Sequence, residues 1–263
     1  DPNPLVAGQG VERLQRAGIE VESGLLEAQA RDLNPGFIKR MESGRPYVRI
    51  KLAMSLDGRT AMASGESQWI SGEASRNDVQ RLRAESSAIL TGIDTVLADD
   101  PSMNVRLRAD DLGLPAGLET RQPKRIVLDS RLRMPSNAKI CALEGDCYVY
   151  TTVNVDANSC YPFIIETCGS QDGKIDLPSL MEDLAKKEIN LLHVEAGAVL
   201  CGALLKNDLV DEIILYMAPH IMGDDAKGLF HLPGLEDMKQ RISLKIKDVR
   251  SIGSDIRITA SPE

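Results

Sequence analysis

The run RPYVRIKLAMSLDGRTA, residues 45–61, decides how the rest of the chain reads. Within it Val48, Ile50, Leu52 and Met54 alternate with Tyr47, Arg49, Lys51 and Ala53, the period of two that marks a strand with two different faces. Lys51 and Ala53 therefore share a face. Asp57-Gly58 closes the run as a turn dipeptide. Downstream, SGEASRNDVQRLRAES (71–86) begins with Ser71 as an N-cap and continues in helix formers to about Ser87, after which AILTG (88–92) reads as a short buried strand. KRIVLD (124–129), CYVYTT (147–152), FIIET (163–167), NLLHVEA (190–196) and DEIILYMA (211–218) are further strands. Helices are expected at 178–187 and 198–206, and SLKIKDVR (243–250) with DIRITA (255–260) forms an antiparallel pair. Residues 108–123 read as a surface loop. Strands that alternate with helices and end in a hairpin give an α/β fold: a mixed sheet with helices on both faces.

Composition narrows the function classes. The 263 residues carry 39 acidic and 31 basic side chains, a net charge of -8. That balance argues against nonspecific nucleic-acid binding, which draws affinity from Lys and Arg neutralising phosphates. An anionic ligand would instead need individually placed arginines. The longest apolar runs are strand-sized, so no membrane span is expected and the cytoplasm is the expected compartment. Five cysteines form no CxxC pair and read as reduced thiols; no metal site is expected.

Residues 1–46 offer a helix over 9–17, a short strand through Ile19 and Val21, and an amphipathic helix over 26–41. Such a piece cannot bury a core alone, so it reads as the end of a further domain.

Chemistry concentrates in a few places. NLLHVEAGAVLCGALL (190–205) is a strand, a small-residue turn at Gly197 and a helix, whose free N–H groups can receive a dinucleotide pyrophosphate. A glycine there is also consistent with a plain turn. Glu195 ends the strand, where α/β sheets meet ligands. Trp69, the one tryptophan, sits in a polar loop, and a phosphorylated ligand would need a guanidinium fork, although most arginines on a helix such as 73–87 are solvated.

Taken together, residues 45–61, SGESQWIS (64–71), QRLRAESSAILTGIDTVLADDPSMNVR (80–106), DPNPLVAGQGVERLQRAGIEV (1–21) and LLHVEAGAVLCGALL (191–205) closely resemble the bifunctional riboflavin-biosynthesis enzymes. These join a diaminohydroxyphosphoribosylaminopyrimidine deaminase to a 5-amino-6-(5-phosphoribosylamino)uracil reductase. The resemblance implies a dihydrofolate-reductase-like fold, with an NADPH-dependent reductase domain at 47–263. It makes residues 1–46 the C-terminal remnant of a cytidine-deaminase-like domain, plus linker. That zinc deaminase chemistry needs an H-x-E motif and a P-C-x-x-C pair. His193-Val194-Glu195 completes the first without any partner cysteine pair, so the chain reads as a fragment without zinc or deaminase activity.

The resemblance also implies site residues. Substrate contacts fall on Ser67, Arg83, Met103, Arg106 and Glu195. Cofactor contacts fall on Ala53, Trp69, Thr95, Asp99, Ser130, Gly197, Ala198, Val199, Leu200, Cys201, Gly202 and Ala203. Lys51 and Glu195 are the catalytic candidates. Met103 stands where the family more often has Leu, a swap that preserves volume. The expected substrate is a small phosphorylated aminopyrimidine, and the expected assembly a homodimer or larger homo-oligomer. The alternatives are a fold relative reducing another pterin or pyrimidine, and a noncatalytic nucleotide-binding module.

Overall fold

The computed structural model describes residues 1–156 and 159–263. Its frame is a sheet of nine strands among the described residues, in the order β12-β13-β10-β1-β9-β3-β4-β5-β6. Seven of these run parallel: β1 (Tyr47–Ser55), β3 (Ala88–Gly92), β4 (Lys124–Leu128), β5 (Cys147–Thr151), β6 (Ile164–Thr167), β9 (Leu191–Val194) and β10 (Glu212–Ala218). β12 (Leu244–Ile252) and β13 (Asp255–Pro262) add an antiparallel hairpin at one edge, with a bulge between Ile246 and Asp248. Short strands pair apart from the main sheet: β2 (Arg59–Ala61) with β11 (Lys227–Gly228), and β7 (Ser170–Gln171) with β8 (Lys174–Ile175).

The alternation along β1 sorts its side chains as the sequence implies. Val48, Ile50 and Leu52 join Leu90, Ile126, Leu192 and Val194 on one face, covered by α6 (Leu177–Lys186) and α7 (Ala198–Lys206) through Leu180, Leu184, Cys201 and Leu204. The opposite face meets α4 (Glu73–Glu85), where Val79 and Leu82 pack on Ile214, Tyr216 and Ala53. Beside α4 it meets α5 (Ile93–Asp99), where Ile93 and Val96 pack on Ile89, Val127 and Val149. The expected mixed sheet with helices on both faces is therefore present.

Several local expectations change. Ile19 and Val21 form no strand, and the helix expected over 26–41 is two: α2 (Glu27–Asp32) and α3 (Pro35–Ser43). Asn34 separates them by accepting from Phe37 N, and Pro35, which has no N–H to contribute, starts the new helix. TGIDTVLAD contains a helix, α5, that periodicity did not reveal. Ser71 does not cap α4. Gly72 holds that position, and the capping oxygen comes from the far end of the chain: Asp255 Oδ2 accepts from Gly72 N at 2.7 Å and from Ser75 Oγ at 2.6 Å.

α1 (Gln9–Arg16) and α2 bury no residue, and Leu5, Leu25, Leu26 and Leu33 stand exposed. α3 is different. Arg40 bonds Asn190 at 2.7 Å, Lys39 pairs with Asp211 at 2.9 Å, and a Cβ on Gly36 would stand 2.8 Å from the Asn190 carbonyl oxygen. α3 thus docks on the sheet, whereas the segment before it stands clear. No helix among the described residues is long and apolar enough to cross a membrane.

Candidate active site

The C-terminal ends of β3, β4 and β9 open onto a cavity of about 680 Å³. Its walls come from Gly92 and Thr95 at the start of α5, Leu128 at the end of β4 and Ser130 after it, and Ala196 through Leu200 at the start of α7; Arg131, Arg133, Lys174 and Lys227 add basic side chains. Parallel sheets collect ligands at this end because every strand there hands over to a loop or a helix N-terminus.

A polar cluster adjoins the cavity, starting at the residue before Ala196. Glu195 N is anchored on Leu90 O at 3.0 Å, which fixes where the carboxylate leaves the sheet. Arg83, from α4, grips it with a two-point fork: Nε to Oε1 at 2.5 Å and Nη2 to Oε2 at 2.9 Å. Nη1 of Arg83 donates to the Asn104 carbonyl at 2.9 Å. Both ion-pair partners are mostly buried, with side chains 10% and 14% exposed. Burial alone would raise the Glu195 pKa, but the Arg83 charge and the two Arg83 hydrogen bonds outweigh it and hold the carboxyl well below its usual range. His193 Nε2 lies 3.3 Å from Glu195 Oε1 yet off the line of a well-formed hydrogen bond. Its pKa is lowered, chiefly by burial, which keeps the ring neutral.

Lys51, on β1, points into the same cluster. Burial lowers its pKa, the Glu195 charge opposes that, and the Arg83 charge adds to it. Its Nζ lies 5.7 Å from the centroid of the Tyr216 ring. Arg106 is exposed; its backbone N–H donates to Gln80 Oε1 at 2.9 Å, and its guanidinium has no protein partner among the described residues. Its pKa is lowered, first by burial and then by the Arg83 charge, with Glu195 opposing, so the guanidinium lies within the field of that pair.

A family model described as the RibD C-terminal domain matches residues 46–258. The chain belongs to the RibD C-terminal domain family. The Escherichia coli riboflavin biosynthesis protein RibD is 48% identical over 261 residues, covering 97% of this chain and 71% of that protein. Among solved structures, Acinetobacter baumannii RibD superposes with a TM-score of 0.86 at 43% identity, covering 100% of this chain and 71% of that one. A Thermotoga maritima protein described as a diaminohydroxyphosphoribosylaminopyrimidine deaminase/5-amino-6-(5-phosphoribosylamino)uracil reductase gives a TM-score of 0.83 at 28% identity; 100% of this chain covers 69% of it.

Set on this RibD-type fold, the residues expected from sequence separate. Thr95, Ser130, Gly197, Ala198, Val199, Leu200 and Ala203 line the cavity. Lys51, Arg83, Arg106 and Glu195 converge in the polar cluster. Cys201 and Gly202 do not reach the cavity: they face inward, Cys201 in the core and Gly202 against the backbone of His231. The Met103 side chain is likewise buried, in the apolar cluster that also holds Ile93 and Met134, which leaves only its backbone for any ligand. Trp69 is 71% exposed, with the Arg76 guanidinium 4.8 Å from its ring centroid. Asp99 accepts from Gln68 Nε2 at 3.2 Å, and Ser67 is half-buried in the loop between β2 and α4.

Gly197 has φ -75° and ψ 173°, a conformation open to any residue, and a Cβ there would meet no atom within 4 Å. The turn at Gly197 therefore needs no positive φ. What the glycine keeps clear is cavity space. Sequence reading missed Arg131, Arg133, Lys174 and Lys227. The SRLR run after a buried strand could have revealed the two arginines, but nothing local signals that the lysines reach the same cavity.

Proposed function

We propose that this chain catalyses the reductase step of riboflavin biosynthesis, converting the ribosylamino side chain of 5-amino-6-(5-phosphoribosylamino)uracil to ribitylamino with NADPH. One observation carries the reading: Glu195, Lys51, Arg83 and Arg106 form a charged cluster beside a cavity lined by the first turn of α7. The cavity suits a dinucleotide, because it offers the free N–H groups of α7, bare space at Gly197 and the basic side chains of Arg131, Lys174 and Lys227 toward phosphate, Arg133 being paired with Asp94 at 2.8 Å. Bound there, the nicotinamide would supply a hydride to C1′ of the ring-opened sugar.

The remaining work falls to this chain's side chains. Glu195 stays ionised, so it accepts hydrogen bonds from sugar hydroxyls and does not itself donate a proton. Lys51, with its lowered pKa, is the better proton carrier. Arg106 is the free guanidinium and receives the substrate phosphate, while Arg83 spends its fork on Glu195 and holds that carboxylate in place. Residues 1–46 belong with the deaminase unit of the longer relatives, α3 docking on the sheet, and residues 47–263 form the reductase domain. Deaminase turnover and bound zinc are absent, the assembly is a homodimer or larger homo-oligomer, and the site of action is the cytoplasm.

The test is turnover of the deaminated pyrimidine by the purified chain, followed by oxidation of NADPH and, in parallel, of NADH. NADPH should be the better reductant. Arg106→Ala should raise KM for the phosphorylated substrate about ten- to one-hundredfold, the loss of one charge-assisted contact, with NADPH affinity nearly unchanged. No turnover with either reductant, or stoichiometric zinc with deaminase activity, would overturn the proposal.

A further inference from the structure

The Lys51 ammonium has no carboxylate within ion-pairing distance among the described residues. What lies against it is the ring of Tyr216, with Nζ 5.7 Å from the centroid. β1 and β10 are paired with Ala53 opposite Tyr216, so the ring sits one position along from Lys51 on the same face of the sheet. That ring is fully buried and fixed from behind: its hydroxyl donates to Asp78 Oδ2 at 2.6 Å, and Arg257 Nη1 donates to the same oxygen at 2.9 Å. Burial, then the bond to Asp78, hold the phenol protonated far above its usual range, so it remains a donor at every working pH. Asp78 and Arg83 both belong to α4. One helix thus holds the Glu195 carboxylate directly and reaches Lys51 through an aromatic ring.

We propose that Tyr216 is a positioning residue for Lys51: its ring face, anchored by Asp78 and Arg257, holds the ammonium in the cluster where the carboxylate is already committed to Arg83. A cation over an aromatic face is held by the ring quadrupole, and the charged form is favoured over the neutral amine. The ring offers that attraction without a second anion, which would compete with Glu195 for the sugar hydroxyls. The proposal rests on the reading of Lys51 as a catalytic group.

The charged and titratable groups around Lys51 are Glu195 and His193 from β9, Arg83 from α4, Arg49 from its own strand, and Asp78 with Arg257 behind the ring. All are unchanged if only the electron density of the ring is altered. Tyr216→Phe removes the hydroxyl bond to Asp78 equally from every member of the series and leaves the ring held by its burial, so the experiment takes phenylalanine as the reference and compares it with its mono-, di- and trifluorinated forms at position 216 of the full chain. The series conserves shape and weakens the quadrupole stepwise. The Lys51 pKa is read by NMR of carbon-13-labelled lysine in the substrate-free protein, with the resonance assigned by its loss in Lys51→Met. From phenylalanine to trifluorophenylalanine the pKa should fall by roughly half a unit to one unit. The melting temperature and NADPH affinity should stay constant, and the alkaline limb of kcat should move with the pKa. A Lys51 pKa that does not change across the series overturns the proposal. Full turnover in Lys51→Met overturns the catalytic reading of Lys51 instead, and with it the functional meaning of the ring.

Discussion

Arg83→Ala separates two readings of this site, because an arginine open to a phosphate and one committed to a carboxylate fail differently. The structure commits it: Arg83 and Glu195 meet at 2.5 and 2.9 Å, and both side chains are largely withdrawn from water. Truncating Arg83 leaves a buried carboxylate without its cation, a change that costs about 3–5 kcal/mol. For a chain of this size each kcal/mol moves the midpoint by about 2–4 °C, so the melting temperature at neutral pH should drop by roughly 10 °C. The pH dependence follows from the sign of the shift. Glu195 has its pKa depressed in the folded protein, so the stability it contributes is fully present above the unfolded carboxyl pKa and is lost as pH falls through the depressed value. In Arg83→Ala that depression disappears and burial raises the carboxyl instead. The gap between variant and wild type should therefore be widest near pH 7 and narrow as Glu195 takes up a proton in mild acid. Replacing both residues with leucine should recover much of the loss, since the stranded charge is then gone. The assay is thermal denaturation of the three proteins across pH, with KM for the phosphorylated substrate measured alongside. A wild-type melting temperature in Arg83→Ala, accompanied by a raised KM, would refute the clamp and return Arg83 to the phosphate.

Two glycines five residues apart along α7 and its cap give opposite expectations. A Cβ on Gly202 would stand 2.3 Å from the His231 carbonyl oxygen, so Gly202→Ala must displace the segment bonded through His231 N to Ala198 O and should destabilise the fold by about 1–3 kcal/mol. Gly197→Val should leave the melting temperature unchanged and weaken NADPH, since its side chain enters the cavity; equal NADPH affinity in titration would make the turn a structural connector only. Asp57 holds the segment after β10 by accepting from Gly223 N at 2.8 Å and Met222 N at 3.1 Å. The Ser55 hydroxyl bond, opposed by burial and assisted by those amides, brings its pKa down to about 2. Asp57→Asn should speed hydrogen exchange at the Met222 and Gly223 amides, and in wild type this protection should be lost as pH falls toward 2. Unchanged exchange in the variant would show that the carboxylate does not hold the segment.

The alternation of β1, the apolar strands that follow and the α6 and α7 helices are written in short periods, so the α/β order, the mixed sheet and the closing hairpin were legible in the chain alone. So was the region of the site, because the strand before Gly197 and the arginines of residues 80–106 carry a family's lettering. Partners were not legible. A sequence names charges but not which charge meets which, and the Arg83–Glu195 pair closes across 112 residues. The fork read as open to phosphate is occupied for that reason. The cap of α4 comes from Asp255, beyond the reach of any local capping rule. Orientation was equally hidden: residues 197–203 read as one cofactor-facing run, yet the helical turn sends Cys201 and Gly202 into the core while their neighbours face the cavity. Local periodicity decides which segments become strands and helices, because it acts between residues a few positions apart. Only the packed sheet brings distant side chains within bonding distance, and so only the tertiary structure decides which of them remain free for a substrate.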